Sequence, residues 1–135
     1  VIPSSNSIMA KNLFRLYHYF DRKEFYDKSK DMALAVSFEF DDYPSGYSNW
    51  FDVLYDFKSK FYEVAILGND AVEKSNLINL KYLPNKLIVG SNTKNDLPLL
   101  ENRFVEGKTL IYVCVNKTCK LPTENTSESI TMIKF

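Results

Sequence analysis

The hydrophobic periodicity of this chain changes near Lys60. Up to that point apolar residues recur every three or four positions, a spacing typical of amphipathic helices. Beyond it, short apolar runs alternate with helical stretches, a pattern typical of α/β proteins. A chain of 135 residues has room for one compact domain or two very small units. The change therefore predicts a helical segment over residues 1–61 and a small α/β unit over residues 62–135.

Three helices are predicted in the first segment, over residues 7–20, 23–38 and 48–60. The first of them carries an apolar stripe, whose members are Met9, Leu13, Leu16, Tyr17 and Phe20. Only a short polar link separates the first two helices, which predicts an antiparallel helical hairpin. A short polar side chain caps a helix well, and the cap of the first helix is predicted to be Ser4, Ser5 or Asn6.

Three short apolar runs in the second segment are predicted to be strands, at residues 63–67, 86–89 and 109–115. Helices are predicted at residues 71–82, as a short piece from residue 97, and at residues 128–134. Strands that alternate with helices are typical of a parallel sheet with right-handed crossovers. The predicted fold class is therefore α/β, with helical hairpin elements followed by a small three-stranded parallel α/β unit.

The charge and composition of the chain exclude two broad classes of partner. Lysine plus arginine and aspartate plus glutamate both number 17, so the basic excess typical of nucleic-acid binding is missing. No apolar run approaches the roughly 20 residues that a membrane-spanning helix needs. We therefore predict neither a nucleic-acid partner nor a membrane.

Two cysteines lie close together near the end of the chain. Cys114 ends the third predicted strand, and Cys119 follows after four residues. If Lys117 lies in a turn, the cysteines face each other across a hairpin, where opposed Cα atoms lie about 4.5–5.5 Å apart, within reach of a disulfide. One interpretation is a reversible disulfide. The other, which the sequence favours for a reducing environment, is a pair of thiols packed as small apolar groups.

Other candidate residues favour structural roles. His18 is the single histidine; it falls off the apolar stripe, is predicted at the surface, and is not predicted to be catalytic. With two cysteines and one histidine, the chain falls short of the roughly four ligands of a zinc site, so no metal is predicted. The acidic residues Glu39, Asp41 and Asp42 are predicted to form a solvated helix end.

Two further clusters are weighed in the same way. Gly68-Asn69-Asp70 follows a strand and opens a helix, a position that can bind phosphate. The further glycines of a dinucleotide fingerprint are missing, and Asp70 would repel an anion, so a nucleotide site is not favoured. Four aromatic residues could stack on a sugar or face a partner, but a core role is favoured; they are Tyr43, Tyr47, Trp50 and Phe51.

Five short motifs follow one another along the chain. They are Pro3-Ser4-Ser5-Asn6-Ser7 with Asn12-Leu13, residues 62–68 (YEVAILG), residues 82–86 (YLPNK), residues 97–100 (LPLL), and Tyr112-Val113-Cys114 with Cys119 and Pro122. In this order they resemble the C-terminal region of the spermatogenesis-associated thioredoxin-like proteins and of their bacterial relatives typified by YyaL. The resemblance spans essentially the whole chain.

The resemblance implies that the chain is part of a longer parent. Members of this family carry a thioredoxin-like domain, then an α/α toroid similar to N-acylglucosamine 2-epimerases and six-hairpin glycosidases, and then a small α/β region. The implied partners are the upstream toroid and thioredoxin-like domains of the same chain. In such toroids the loop before this helix lines the central cavity, which makes Ser5 and Asn6 candidates to line a sugar-like ligand. Ser5 stands where many relatives have glycine.

The predicted function is a non-catalytic structural or partner-contact role within that parent. The alternative is an enzyme whose main active site lies upstream, acting on a sugar or using Cys114 and Cys119 in thiol chemistry. No catalytic residue and no cofactor are predicted within this chain. The cytoplasm is the expected compartment.

Overall fold

The chain divides into two compact units between Lys60 and Phe61. The structure is a computed structural model that describes residues 4–41 and 44–134. Three members of the clusters named above, Pro3, Asp42 and Tyr43, lie outside the described residues. Each unit has its own buried cluster of apolar side chains.

The first unit consists of helices. Helix α1 spans Ser5–Phe20, α2 spans Lys23–Val36 and α3 spans Ser48–Lys58, and short 3-10 turns cover Ser37–Glu39 and Pro44–Tyr47. The three helices predicted from the sequence are present, with ends that differ by a few residues. The structure establishes a helical unit, whereas its place in an α/α toroid stays a prediction.

Helices α1 and α2 form the predicted antiparallel hairpin. Asp21 ends α1 in the left-handed region at φ 55° and donates its amide hydrogen to the carbonyl of Tyr17 at 2.8 Å. This residue type tolerates that conformation better than most. Two contacts show that the helices run antiparallel. The Ser29 hydroxyl donates to the Ala10 carbonyl at 2.7 Å, whereas Tyr26, earlier in α2, contacts the ring of Tyr17, later in α1.

The core of the helical unit combines small and aromatic side chains. Its buried members are Ala10, Ala33, Phe40, Trp50 and Val53. The two alanines, one on each helix of the hairpin, are small enough to permit close approach of the helix backbones. Large rings then fill the space beside α3, which is how a unit this small acquires a packed interior.

The second unit is a four-stranded sheet with two helices. Its elements are β1 (Tyr62–Leu67), α4 (Ala71–Asn79), β2 (Lys86–Ser91), β3 (Leu110–Val115), β4 (Thr118–Cys119) and α5 (Thr126–Met132). The strand order is β2-β1-β3-β4. Strands β1 and β2 are parallel, as predicted, with α4 between them in the chain.

The prediction of a wholly parallel sheet is wrong, because β3 runs antiparallel to β1. The last residue of β1, Leu67, lies opposite both Ser91 at the end of β2 and Leu110 at the start of β3. The connection between those strands therefore stays at one end of the sheet and needs no helical crossover. Residues 97–102 accordingly form turns and not the short helix that was predicted.

Strand β1 is buried on both faces. One face carries Tyr62, Val64 and Ile66, which pack in a cluster with Ile78 of α4 and with Ile133. Successive side chains of a strand alternate between faces, so Glu63 lies on the other side, where it is also fully buried. The central strand thus places a carboxyl group in the interior of the unit.

Gly68 allows the chain to leave β1 beside the start of β3. Its φ of 132° belongs to a region open almost only to glycine. A Cβ here would overlap the carbonyl oxygen of Lys108 and would lie 2.6 Å from the Cα of Thr109. The glycine is therefore needed for the close packing of this exit against Lys108 and Thr109.

Candidate functional site

A tight hairpin brings the two cysteines together. Asn116 and Lys117 both have positive φ, at 49° and 65°, as the central residues of a type I′ turn do. The turn pairs Val115 with Thr118 and, one step further, Cys114 with Cys119. Lys117 thus lies in the turn on which the predicted juxtaposition depended.

Cys114 and Cys119 form a disulfide, with sulfurs 2.06 Å apart and Cα atoms 3.8 Å apart. The predicted closeness of the two cysteines is confirmed. The favoured interpretation of two reduced thiols differs from the state that the structure holds. The short turn aligns the two side chains on the same face of adjacent strands, which places the two sulfurs where a bond can form.

The two sulfur-bearing residues differ in exposure. Cys114 lies on the inner strand β3 and is 0% exposed. Cys119 lies on β4, a two-residue strand at the edge of the sheet, and is partly exposed. A reagent in solution therefore meets Cys119 first.

A guanidinium group contacts the buried sulfur. Arg103 Nη1 donates to Cys114 Sγ at 3.2 Å. Its guanidinium carbon lies 5.4 Å from the centre of the Tyr112 ring, and the Tyr112 hydroxyl donates to the Arg103 carbonyl at 2.9 Å. These two contacts with Tyr112 hold the arginine against the cysteine.

A buried carboxylate lies next to the same cysteine, on the adjacent strand β1. Glu63 is directly opposite Cys114 in the β1–β3 register and is 0% exposed. It accepts a hydrogen bond from the Lys117 amide at 3.0 Å, and the Lys117 Nζ lies 3.8 Å from its second oxygen. Glu63 therefore ties the turn of the hairpin to the centre of the sheet. An acidic residue within an apolar run was the available sequence signal for it.

Ser5 and Asn6 do not cap α1. The N-cap is Ser4, whose hydroxyl accepts from the Ser7 amide at 3.2 Å, and the helix begins at Ser5. The prediction that one of Ser4, Ser5 and Asn6 caps this helix is therefore confirmed for Ser4, while Asn6, which was also considered as the cap, lies within the first turn. Both Ser5 and Asn6 are exposed. Their role in lining a ligand stays a prediction.

His18 is buried, so its predicted surface position is wrong. It is 4% exposed and lies against the rings of Phe14 and Tyr17, with centroids 4.7 and 4.9 Å away. The buried face of α1 is formed by Ser7, Ala10, Leu13, Phe14 and His18. The pattern of large apolar residues did not indicate this face, because two of its members, Ser7 and Ala10, are small. Met9 and Phe20 of the predicted stripe are instead about half exposed.

Asn69 of the Gly68-Asn69-Asp70 loop lines an open crevice of about 410 Å³ between α4 and the end of β2. Asp70 is the N-cap residue of α4, and its amide donates to the Thr109 hydroxyl at 3.2 Å. One amide of the helix entrance is thereby satisfied within the protein. The carboxylate at this entrance also disfavours an anion, and the prediction about a nucleotide site stays a prediction.

The acidic and aromatic clusters pack among themselves. Tyr47 donates a hydrogen bond to Glu39 and contacts the ring of Phe40. Trp50 is buried, as favoured from the sequence, whereas Phe51 is 40% exposed. Asp41, the other described acidic residue of the cluster, is exposed.

A buried acidic residue in the helical unit was missed by sequence reasoning. Asp56 on α3 is 9% exposed. Burial raises the pKa of this carboxyl group, and the nearby charges of Lys11 and Arg15 oppose the effect. Within residues 4–41 and 44–134, no group of three or more histidine, cysteine, aspartate or glutamate residues is placed to hold a metal ion. None of the described helices is long and apolar enough to cross a membrane.

Comparison with known proteins supports the resemblance. No family model and no solved structure matches the chain. Human spermatogenesis-associated protein 20 is 26% identical over 137 aligned residues, which cover 93% of this chain and 17% of the human protein. The chain is a homologue of spermatogenesis-associated protein 20. The rat and mouse forms of spermatogenesis-associated protein 20, at 26% and 25% identity, match with the same coverage.

The family named from the sequence motifs is therefore confirmed, by weak but nearly full-length similarity of this chain. The chain spans only 17% of the length of spermatogenesis-associated protein 20. The thioredoxin-like and epimerase-like domains that the resemblance implies stay predictions.

Proposed function

We propose that this chain is a non-catalytic part of a longer protein, in which its helical unit packs against the preceding helices of an α/α toroid. The proposed partners are that toroid and a thioredoxin-like domain of the same polypeptide. Homology to 17% of a longer relative supports this organisation. The observation that carries the proposal is a set of large apolar side chains left exposed on the helical unit.

These side chains are large, and the sheet unit also exposes apolar residues of its own, such as Leu80 at 79% and Leu121 at 87%. Phe38 is 75% exposed, Leu34 is 53% exposed, and Met9, Ile8 and Phe20 are each about half exposed. Single exposed apolar residues are common on any protein, whereas a contiguous exposed patch is typical of a surface that another element covers. Packing against further helices would remove this surface from water.

The described side chains offer little for acid–base catalysis by the chain itself. General acid–base chemistry needs a titratable group that reaches a pocket. His18 packs between aromatic rings, and Glu39 accepts a hydrogen bond from Tyr47. Any sugar-like ligand is therefore proposed to bind mainly in the toroid, with Asn6 at its margin.

Hydroxyl-radical footprinting tests the packing role. Phe38 should be oxidised rapidly in the isolated 135-residue chain and slowly in the longer natural protein. Phe14, which is 2% exposed, should be protected in both and calibrates the scale. Equal oxidation of Phe38 in the two proteins, or a natural product of only these 135 residues, would overturn the proposal.

A further inference from the structure

We propose that the Cys114–Cys119 pair is a thiol–disulfide exchange site, entered at Cys119, in which Arg103 stabilises the departing thiolate of Cys114. The substrate class is a dithiol, which the disulfide oxidises. This role goes beyond the packing function of the chain and uses only residues of the second unit.

The difference in exposure sets the direction of attack. A thiolate attacks one sulfur of a disulfide and expels the other. Cys119 lies partly exposed on the edge strand, whereas Cys114 is 0% exposed. The attacking sulfur therefore bonds to Cys119, and Cys114 is the leaving group.

Arg103 lies where the leaving group gains its charge. Its Nη1 is 3.2 Å from the Cys114 sulfur, and a guanidinium group keeps its positive charge at any physiological pH. A cation beside a thiolate favours its ionised form, and a thiol with a lower pKa leaves faster. The contacts with Tyr112 hold the group in place before the bond breaks.

The surroundings keep the hairpin closed when the disulfide opens. The Lys117 amide donates to buried Glu63, and the Lys120 amide donates to the Val113 carbonyl at 3.0 Å. Neither contact involves a sulfur atom. The two thiols formed by reduction thus stay opposite each other, as reoxidation requires.

The exchange balances in two steps. A thiolate of the dithiol attacks Cys119 Sγ, the bond between the two protein sulfurs breaks, and its electron pair goes to Cys114 Sγ. The second thiol of the substrate loses its proton and attacks the substrate sulfur of this mixed disulfide, which releases Cys119 as a thiolate. The two protein thiolates then take up from solvent the two protons that the substrate thiols released, so the substrate ends as a disulfide and the protein as a dithiol, with two electrons and a net two protons transferred.

The rate of disulfide reduction by dithiothreitol, a small dithiol, tests the proposed role of Arg103. Samples of the folded chain are taken over time, their free thiols are alkylated, and the mass of the protein is measured by mass spectrometry. Each reduced cysteine pair gains two alkyl labels, so the mass gives the reduced fraction. We expect Arg103→Gln to slow reduction about tenfold because the leaving thiolate loses its cation. Arg103→Lys should recover much of the rate. Arg22→Gln is the matched control, because Arg22 also lies over an aromatic ring, that of Phe25 at 5.0 Å, and should not change the rate.

A reduction rate that Arg103→Gln leaves unchanged would overturn the role of the arginine. Reduction that occurs only when urea unfolds the chain would overturn the site as a whole, since the disulfide would then be purely structural. Circular dichroism establishes that each variant is folded under the reaction conditions.

Single-cysteine variants test the point of entry without altering Arg103. In Cys114→Ser, the remaining Cys119 thiol should form a mixed disulfide with oxidised glutathione quickly. In Cys119→Ser, the buried Cys114 thiol should react at least about tenfold more slowly, because access limits exchange. Equal rates for the two variants would contradict entry at Cys119.

Discussion

Ala33 is one of the small side chains at the contact between α1 and α2. It is 1% exposed on α2, in the same cluster as Ala10 on α1. Nearby, Ser29 is 0% exposed and donates its hydroxyl hydrogen to the Ala10 carbonyl. Residues of this size are buried because the helices approach closely at these positions.

Replacement of Ala33 by leucine should therefore destabilise the unit. Extra methylene groups in a packed core cost about 1–3 kcal/mol. Ala35→Leu, on the exposed face of the same helix, adds the same atoms and should change stability by less than about 0.5 kcal/mol. Urea unfolding of the two variants measures the difference. Equal losses would show that the Ala33 site is not closely packed.

Asp56 makes stability depend on pH. Burial raises its pKa above the ordinary value of 3.8, so the folded chain binds this proton more tightly than the unfolded chain does. The favourable contribution is thus fully present below the ordinary pKa and is lost as the pH rises through the raised value. An asparagine side chain cannot ionise, so we expect Asp56→Asn to gain stability relative to wild type between about pH 3 and about pH 7.

The measurement is urea unfolding of wild type and Asp56→Asn at both pH values. Asp31→Asn, at an exposed position of α2, controls for the loss of one negative charge. If the difference between Asp56→Asn and wild type moves in the opposite direction, the attraction of Lys11 and Arg15 outweighs burial.

At the scale of elements, the sequence predicts helices and strands better than it predicts their arrangement. The periodicity locates α1, α2 and α3 and the runs that become β1, β2 and β3. It cannot give the direction of β3, since an apolar run has the same pattern in either orientation. The direction of β3 depends on the path that residues 92–109 take between β2 and β3. The hydrogen bonds of that segment form only in the folded sheet.

The candidate site was predictable only in part, for a related reason. Cys114 and Cys119 are near each other in sequence, and turn geometry brings them together. Arg103 and Glu63 reach the same place through the β1–β3 register and a loop. Contacts between residues this far apart in sequence leave no local pattern.

The exit from β1 provides a test at this scale. Gly68→Ala should lower the free energy of unfolding by about 2 kcal/mol or more. A positive φ is combined here with direct overlap on Lys108 and Thr109, just before β3. Gly107 has a φ of 75° but open space where a Cβ would lie, so Gly107→Ala should cost only about 1 kcal/mol. Urea unfolding compares the two, and a smaller loss for Gly68→Ala would contradict the close packing of Gly68 on Thr109.

For the whole molecule, the division into two units separates two kinds of role. The helical unit carries the side chains proposed to pack against a toroid, and the sheet unit carries the disulfide together with exposed apolar residues of its own, such as Leu80 and Leu121. Disulfides in a reducing compartment are usually transient or catalytic. A cytoplasmic location is therefore compatible with a pair that is reduced and reoxidised.

We expect the purified chain to leave simple sugars unchanged, with neither isomerisation nor hydrolysis, because such chemistry needs acid and base groups held around one substrate. Incubation with a panel of monosaccharides and disaccharides, followed by chromatography, tests this. Turnover that Asn6→Ala abolishes would place a sugar site within the chain itself.

The sheet order has a consequence for synthesis on the ribosome. Central strand β1 is made before either of its neighbours, and Tyr62 pairs with Lys86 on one side and with Val115 on the other. At the usual rate of about 5–20 residues per second, several seconds separate the synthesis of β1 from that of β3. A ribosome that stalls between β2 and β3 thus presents a largely apolar strand with one open edge. Nascent chains in that condition aggregate or recruit chaperones.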